Sequence, residues 1–342
     1  MTALRQFFAS IFALIVMAAS AFGQTPLVVD VTEGTLDPTP IAIPDFLGEE
    51  TREAEIGADI SRVITNNLQT SGLFAPVEPE AFIEDITDIN LRPRFGDWRV
   101  INASALLVGE VSIDENDRML VAFRLWDANT EQQMQGLQFV TSPDNWRRIA
   151  HKVSDAVYQR MTGESGYFDT RIVYVSETGP LNARIKRLAI MDQDGENHQF
   201  LSDGQALVLT PRFSPTAQEI TYLSYFRNVP RVYIFNIDTG RREILGDFPG
   251  MTFAPRFSPD GNQVIMSLAQ DGNTEIYTMD LRSRLVRRLT DHPAIDTSPS
   301  YSPDGASVTF NSDRGGAQQL YVMNSDGSNV KRISFGEGRY AT

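Results

Sequence analysis

The sequence Pro255-Arg-Phe-Ser-Pro-Asp-Gly261 decides the fold because it recurs at a fixed interval along the chain. It is matched upstream by Pro211-Arg-Phe-Ser-Pro215 and downstream by Pro299-Ser-Tyr-Ser-Pro-Asp-Gly305. The aromatic residue of each copy lies 44 residues after that of the copy before it. A repeat of this length indicates one structural unit per copy.

Each marker is followed by three short runs with strand character, in the first copy 219–226, 231–238 and 241–245. With the marker itself this makes four short strands in 44 residues, separated by Gly, Asp and Asn turns, which is typical of a β-propeller blade. A weaker unit without the marker precedes these copies, with predicted strands near 170–176, 185–192 and 198–201.

The repeat places blades at about 166–205, 206–249, 250–293 and 294–337, with the start of a further blade at 338–342. A propeller closes its ring to protect its strand edges, so this phase favours a chain whose natural continuation carries more blades. A four-bladed ring is the alternative.

A domain of different character, 24–165, comes before the blades. The predicted helix 51–73 carries the apolar stripe Ile56, Ile60, Val63, Ile64 and Leu68. A second helix is predicted from a cap at Ser142 and a first-turn Pro143 to Gly163. Alternating strands are expected between them at 105–113, 118–126 and 132–140. The fold class is therefore an α/β N-terminal domain followed by an all-β propeller.

The first 23 residues have the pattern of a cleaved signal peptide. Arg5 precedes an uncharged apolar run at 7–19, and small residues follow, so cleavage is expected near Gln24. No later stretch approaches the roughly 20 apolar residues of a membrane span, so no direct membrane insertion is expected. The segment 27–31 is predicted to be a strand, and the Pro-rich stretch 33–44 an extended connection.

The composition excludes several classes of function. The chain has no cysteine, which removes disulfides, thiolate metal sites and a cysteine nucleophile, and 42% apolar residues suffice for two cores. The formal net charge is −14, and loss of Arg5 makes the secreted form one unit more negative. Nucleic acid and anionic lipid are therefore not expected as partners, because binding to either requires clustered basic residues.

The inventory of reactive side chains argues against catalysis. Only His151, His198 and His292 are present, and no Gly-x-Ser-x-Gly elbow accompanies them. The acidic pairs in 192–197 and 326–327 do not fit an EF-hand and are interpreted as hairpin turns. We therefore predict no catalytic, cofactor or metal residues.

The positions that vary between the repeats are candidates for binding. Segments 207–210, 251–254, 295–298 and 339–342 share one phase and are expected to lead into the innermost strand, at the mouth of the propeller channel. We call their variable residues in the two central copies the channel rim and expect them to contact a partner: Met251, Thr252, Ala254, Asp296 and Thr297. The neighbouring Phe253 and Ile295 are expected to pack between blades.

The order of these parts resembles the TolB family. Leu27-Val-Val-Asp-Val-Thr-Glu-Gly34, Pro40-Ile-Ala-Ile-Pro-Asp-Phe46 and Tyr167-Phe-Asp-Thr-Arg-Ile-Val-Tyr-Val-Ser176 are similar to the corresponding parts of that family. The resemblance implies a six-bladed propeller and a periplasmic adaptor without enzymatic activity, monomeric apart from its complexes. It implies binding to the lipoprotein Pal at the channel mouth, and to TolA and other Tol or outer-membrane proteins, in outer-membrane constriction during cell division.

The same resemblance implies that the N-terminal segment contacts partners, through Leu27, Val28, Val29, Asp30 and Val31. A plain sheet strand is the alternative for this segment. Two other classes remain open for the whole chain: the propeller of a secreted prolyl-oligopeptidase-like hydrolase, and a periplasmic protein that binds a small ligand in the channel.

Overall fold

The computed structural model describes residues 38–336, except 247 and 249. The predicted signal peptide, the strand 27–31 and the start of a fifth blade at 338–342 lie outside the described residues. None of the helices in the described part is long and apolar enough to cross a membrane.

The N-terminal domain is built on a mixed five-stranded sheet with the order β2-β1-β3-β4-β5. Strand β1 pairs in parallel with β2 and β3, whereas β3, β4 and β5 form an antiparallel meander. The predicted strands at 105–113, 118–126 and 132–140 are confirmed to within a residue. The bounds are β1 Thr39–Ala42, β2 Phe74–Pro76, β3 Ala105–Ile113, β4 Met119–Asp127 and β5 Gln132–Thr141.

Two long helices pack together against one face of this sheet: α1 (Thr51–Thr70) and α3 (Trp146–Thr162). A short helix, α2 (Phe95–Val100), belongs to a second apolar cluster, and Pro79–Ala81 and Pro143–Asn145 form 3₁₀ turns. Of the predicted α1 stripe, Ile60, Val63, Ile64 and Leu68 are buried and Ile56 is partly buried.

The predicted helix ends were partly wrong. Helix α1 ends at Thr70, and Gly72 follows it with φ +74°. Ser142 and Pro143 do not begin α3 but open the 3₁₀ turn before it, and Ser142 makes no side-chain capping hydrogen bond. Gly163 ends α3 with φ +81°, as predicted.

A buried carboxylate joins the start of α1 to the sheet. Burial acts to raise the pKa of Glu53, but three backbone amides outweigh it and hold the pKa below its ordinary value. Its Oε2 accepts from the amides of Glu49 and Glu50, both at 3.0 Å, and its Oε1 accepts from Ile113 N at 2.6 Å. The carboxylate therefore ties the helix start to the end of β3.

The remaining chain forms four sheets in sequence order, of which three have four antiparallel strands and the first has three. The predicted propeller architecture is confirmed in the three complete repeats. The bounds are β6 Arg171–Thr178, β7 Ile185–Asp192, β8 Gln199–Phe200, β9 Val208–Phe213, β10 Glu219–Phe226, β11 Val229–Asn236, β12 Arg242–Ile244, β13 Met251–Phe257, β14 Gln263–Gln270, β15 Asn273–Asp280, β16 Val286–Arg288, β17 Asp296–Tyr301, β18 Ser307–Ser312, β19 Gln319–Asn324 and β20 Lys331–Arg332.

The innermost strands are β9, β13 and β17, which contact one another in sequence. Strand β9 packs on β6 and β7 in the way that β13 packs on β10 and β11. Because β10 is the second strand of its sheet, β6 corresponds to the second strand of the first sheet. Within the described residues no strand lies on the inner side of β6.

Each innermost strand contains a bulge at the same repeat position. Thr210, Ala254 and Ser298 have φ of +48°, +51° and +56°, and the pairing with the second strand shifts register there. Left-handed backbone costs a non-glycine residue about 1 kcal/mol or more. The prediction that the segments 207–210, 251–254 and 295–298 lead into the innermost strand was therefore wrong. These segments form the first half of that strand.

The Ser-Pro-Asp-Gly sequence turns the chain from the innermost strand into the second, as predicted. Ser258 Oγ donates to Asp260 Oδ1 at 2.5 Å, and Asn262 N donates to the same oxygen at 3.1 Å. These bonds hold the pKa of Asp260 below its ordinary value. Gly261 has φ +73°, and a Cβ there would lie 2.0 Å from Thr216 Oγ1 of the preceding blade. The motif is scaffold.

Buried Glu275 holds the loop between the third and fourth sheets. It is 4% exposed; its Oε1 accepts from Arg288 Nη2 at 2.7 Å and His292 N at 2.8 Å, and its Oε2 accepts from Thr290 Oγ1 at 2.5 Å. Gln319 stands 44 residues later, where its Oε1 accepts from Ser334 Oγ at 2.7 Å and its Nε2 donates to Gly336 O at 3.0 Å. The Glu275 carboxylate and the Gln319 amide thus hold the equivalent segment of chain in consecutive repeats.

We predict that Glu275→Ala lowers the free energy of unfolding by about 3 kcal/mol, because it leaves buried donors of Thr290 and His292 unpaired. Glu275→Gln keeps the shape found at Gln319 and is expected to cost less than about 1.5 kcal/mol. Denaturant unfolding of the two variants measures the difference. An equal loss in both would show that the negative charge, not the hydrogen-bonding shape, holds the loop.

Candidate partner-binding rim and domain junction

The channel rim lies at one end of the propeller. That end contains the starts of β9, β13 and β17 and the hairpin tips between the second and third strands of each sheet. The opposite end contains the Ser-Pro-Asp-Gly turns and the turns that follow β7, β11, β15 and β19. We call these two ends the rim end and the turn end.

Asp296 is buried at the rim and is not available for direct contact. It is 0% exposed, and its Oδ2 accepts from Arg314 Nη2 at 2.5 Å. The Arg314 guanidinium lies over the rings of Phe310 and Tyr321, 5.3 and 5.2 Å from their centroids. Because this cation is packed on both rings, the ion pair fixes the start of β17 relative to the hairpin tip at 313–316.

The other rim residues differ in exposure. Thr252 is buried at 3%, whereas Thr297 and Ala254 are half-buried. Ser267 Oγ donates to Thr297 Oγ1 at 3.5 Å and accepts from Ser298 N at 3.1 Å, so the third sheet supports the bulge of the fourth. The backbone of Met251 begins β13.

Within the described residues Ile295 is 44% exposed and Phe253 is half-buried. No sheet follows the fourth in that part of the chain, so packing of Ile295 between blades stays a prediction. Leu207, at the same repeat position as Ile295 and Met251, is 39% exposed. The exposed side chains of the rim end also include Phe226 (47%) and Val229 (46%) at the β10–β11 hairpin tip. These exposed apolar side chains at the rim end, which we call the apolar display, were not predicted from the sequence. The repeats could have indicated them, because each has an apolar residue at the same position, 207, 251 or 295.

The N-terminal domain contacts the turn end. Among the described residues, the hydrogen bonds and ion pairs that join α1 and α3 to the sheets all reach the end of β7 or the turn after it, as in Gln193 Nε2 to Asn67 Oδ1 at 3.1 Å. The rim end is therefore free of the N-terminal domain in the described structure.

The linker between the domains is fixed to α3. Asp155 Oδ1 accepts from Phe168 N at 2.7 Å and its Oδ2 accepts from Asp169 N at 3.1 Å, while the Phe168 ring is 1% exposed in the N-terminal core. Burial raises the pKa of Asp155 above its ordinary value against the opposing effect of these amides. Folding of the first domain therefore positions the start of β6.

The three histidines do not come together. His198 Nδ1 lies 2.5 Å from Tyr174 Oη, and His292 Nδ1 accepts from Ala294 N at 3.0 Å. His151 is buried at the domain junction, facing Asp192 at the end of β7 and Asp194 in the turn that follows. The interpretation of 192–197 as a hairpin turn is correct for Asp194 and for Gly195, which has φ +92°, whereas Asp192 ends β7; the sequence interpretation missed the convergence of both aspartates with His151.

Comparison with known proteins agrees with this architecture. The family described as "TolB amino-terminal domain" matches residues 27–134, and the "TolB beta propeller domain" family matches residues 158–342. The Tol-Pal system protein TolB of Paramagnetospirillum magneticum is 58% identical over 228 residues, 67% of this chain and 51% of that protein. The chain thus matches about half the length of that relative.

The crystal structure of TolB from Acinetobacter baumannii superimposes with a TM-score of 0.75 at 31% identity, covering 89% of this chain and 73% of the other. The family matches account for both domains in the order that the sequence predicted. The chain belongs to the TolB family.

Proposed function

We propose that this protein is a periplasmic, non-enzymatic adaptor of the Tol-Pal system that binds the lipoprotein Pal at the rim end of its propeller. Its relative is named a Tol-Pal system protein. The observation that carries the proposal is the apolar display of Leu207, Phe226, Val229 and Ile295 at the end that the N-terminal domain leaves free. Exposed apolar side chains gathered at one surface are typical of protein interaction sites.

The rim separates a repeated frame from variable contacts. The frame consists of the bulge, the proline after it and the turn that follows, which recur in each copy, whereas the side chains at 251–254 and 295–298 differ. In this arrangement Thr297, Ala254 and Met251 contact Pal. Thr252 and Asp296, which are buried, position the strands that present them.

The N-terminal segment has a second binding role in this proposal. Residues 27–31 contact TolA or modulate the Pal site, and the protein links the inner-membrane Tol proteins to Pal during outer-membrane constriction. The net charge of −14 favours a partner surface with basic groups for long-range attraction.

We expect Thr297→Arg and Ile295→Arg each to weaken Pal binding at least tenfold, about 1.4 kcal/mol, because a long cation displaces the partner from a half-exposed position. The matched control is Ala306→Arg, an exposed position in the turn at the far end of the β17–β18 hairpin, which should leave affinity unchanged. Titration calorimetry with soluble Pal measures all three. Equal affinities throughout would place the site elsewhere.

Deletion of residues 24–33 is expected to change Pal or TolA affinity while leaving the melting temperature nearly constant, because a partner-contacting segment contributes little to the core. Affinity and thermal unfolding are measured on the same preparation. A large loss of stability with unchanged affinity would identify 27–31 as an ordinary sheet strand.

The periplasmic assignment predicts a secreted form that begins at or near Gln24, since Arg5, the apolar run and the small residues before Gln24 form a signal peptide. N-terminal sequencing of protein from the periplasmic fraction determines this. Recovery of intact Met1 in the membrane fraction would contradict it.

A further inference from the structure

We propose that His151, Asp192 and Asp194 form a binding site for a divalent transition-metal ion of the zinc type at the junction of the two domains. The three residues each offer one ligand atom, and these atoms lie within 4.8 Å of one another. His151 comes from α3, Asp192 is the last residue of β7, and Asp194 lies in the turn that follows.

The buried imidazole is the observation that points to a ligand. His151 is 2% exposed, and its Nε2 atom has no hydrogen-bond partner. This nitrogen faces Asp192 Oδ2 at 3.7 Å and Asp194 Oδ2 at 3.8 Å. A buried polar atom without a partner is destabilising, so a nitrogen left in this state and aimed at two carboxylates requires an explanation.

The separations suit a shared ion better than direct hydrogen bonds. A nitrogen–oxygen hydrogen bond is about 3 Å long, and both distances exceed that. Zinc binds nitrogen and oxygen at about 2.0 to 2.1 Å, which places two tetrahedral ligands about 3.4 Å apart. A closure of a few tenths of an ångström between His151 and each carboxylate therefore allows an ion to bind these three protein ligands, with a water molecule in the fourth position.

Neighbouring polar groups can orient the ligands. His151 Nδ1 lies 2.9 Å from the Asn67 side-chain amide, and a half-turn of that amide presents Oδ1 to accept from Nδ1–H. Ser154 Oγ, which accepts from Asn67 Nδ2 at 3.0 Å, then turns its hydrogen from Ala150 O to Asn67 Oδ1. Metal-bound histidines use this arrangement because it fixes the lone pair on Nε2. Gln193 Nε2 donates to Asn67 Oδ1 at 3.1 Å, and a half-turn of the Gln193 amide keeps a hydrogen bond between the two side chains after Asn67 has turned. Asn197 Nδ2 donates to Asp192 Oδ2 at 2.7 Å.

Arg147 occupies the cationic position when no metal is bound. Its guanidinium pairs with Asp194 Oδ2, and its Nε lies 3.4 Å from Asp192 Oδ2, so it contacts the same two oxygens that face the histidine. One guanidinium leaves one of the two negative charges in the cluster uncompensated. A divalent ion neutralises both and displaces Arg147 into the adjoining cleft of about 720 Å³, which Arg147, His151 and Asp192 help to line.

The ligand set selects the type of ion. An imidazole with two carboxylates suits zinc and the neighbouring transition metals, whereas calcium and magnesium prefer oxygen ligands alone. The ligands come from both domains, so the bound ion adds a cross-link beside the Asp155 linker contact and stabilises one arrangement of the domains.

The test uses cobalt(II), whose visible absorption reports coordination, and zinc competition against a chromophoric chelator. The site variants are His151→Gln and Asp194→Asn, the competitor variant is Arg147→Gln, and the control is His198→Gln, which removes a histidine outside the cluster. Circular dichroism establishes whether each variant is folded. If the buried substitution His151→Gln unfolds the protein, the metal affinity of Asp194→Asn, which lies in a surface turn, tests the site.

We expect the native protein to give a cobalt spectrum that zinc abolishes, with affinity reduced at least about tenfold in both site variants. Arg147→Gln should bind about threefold tighter or more, because a competing cation is removed, and His198→Gln should stay within about twofold. The proposal is overturned by any one of three results. The native protein gives no cobalt spectrum, the site variants bind metal as tightly as the native protein, or Arg147→Gln binds metal more weakly than the native protein.

Discussion

The left-handed residue before each marker proline is the constraint on which the propeller depends. At Thr210, Ala254 and Ser298 the innermost strand leaves regular register with its neighbour, and a proline follows at once. The bulge divides the strand into two halves. The half after the proline carries the aromatic residue and the turn, and it is anchored in the core: Phe257 is 9% exposed among residues of two sheets.

In the half before the bulge Val208, Thr252 and Asp296 are buried, whereas Leu207 and Ile295, which directly precede two of them, are exposed, and the side chains at these positions differ from copy to copy. A rigid repeated frame can therefore present a surface that is not repeated, as binding to a single partner requires. Buried ionic groups support this surface from behind. Asp296 is held by Arg314, and the loop that leads to it is held by Glu275, so both carboxylates support the rim while staying buried.

The difference between the repeated backbone frame and the variable side chains also explains what could be predicted from the sequence. The spacing of 44 residues and the turn chemistry predicted the sheets and most strand bounds, because those features depend on local backbone preferences. The exposure of Ile295 could not be predicted, because a single apolar residue at the start of a strand gives no local signal of whether it is packed or exposed. The partnership of His151 with Asp192 and Asp194 joins residues that are far apart in sequence, and each looked ordinary in its own local context.

Helix placement shows a similar limit. Ser142 and Pro143 have the local chemistry of a helix start, yet the chain completes a 3₁₀ turn before Trp146, which packs against the N-terminal core. Tertiary packing thus shifted the boundary by three residues relative to the local signal. By contrast Gly163 ended α3 as predicted, because a left-handed backbone is a strictly local requirement.

The central claim is that the rim end is the partner-binding surface and the turn end is not. Hydroxyl-radical footprinting with and without soluble Pal measures this directly, since it reports the exposure of individual apolar side chains. We predict protection of Phe226 and Ile295 at the rim end, with no change at Leu285, which is 72% exposed at the turn end. Protection of Leu285 without protection of Ile295 would contradict the account.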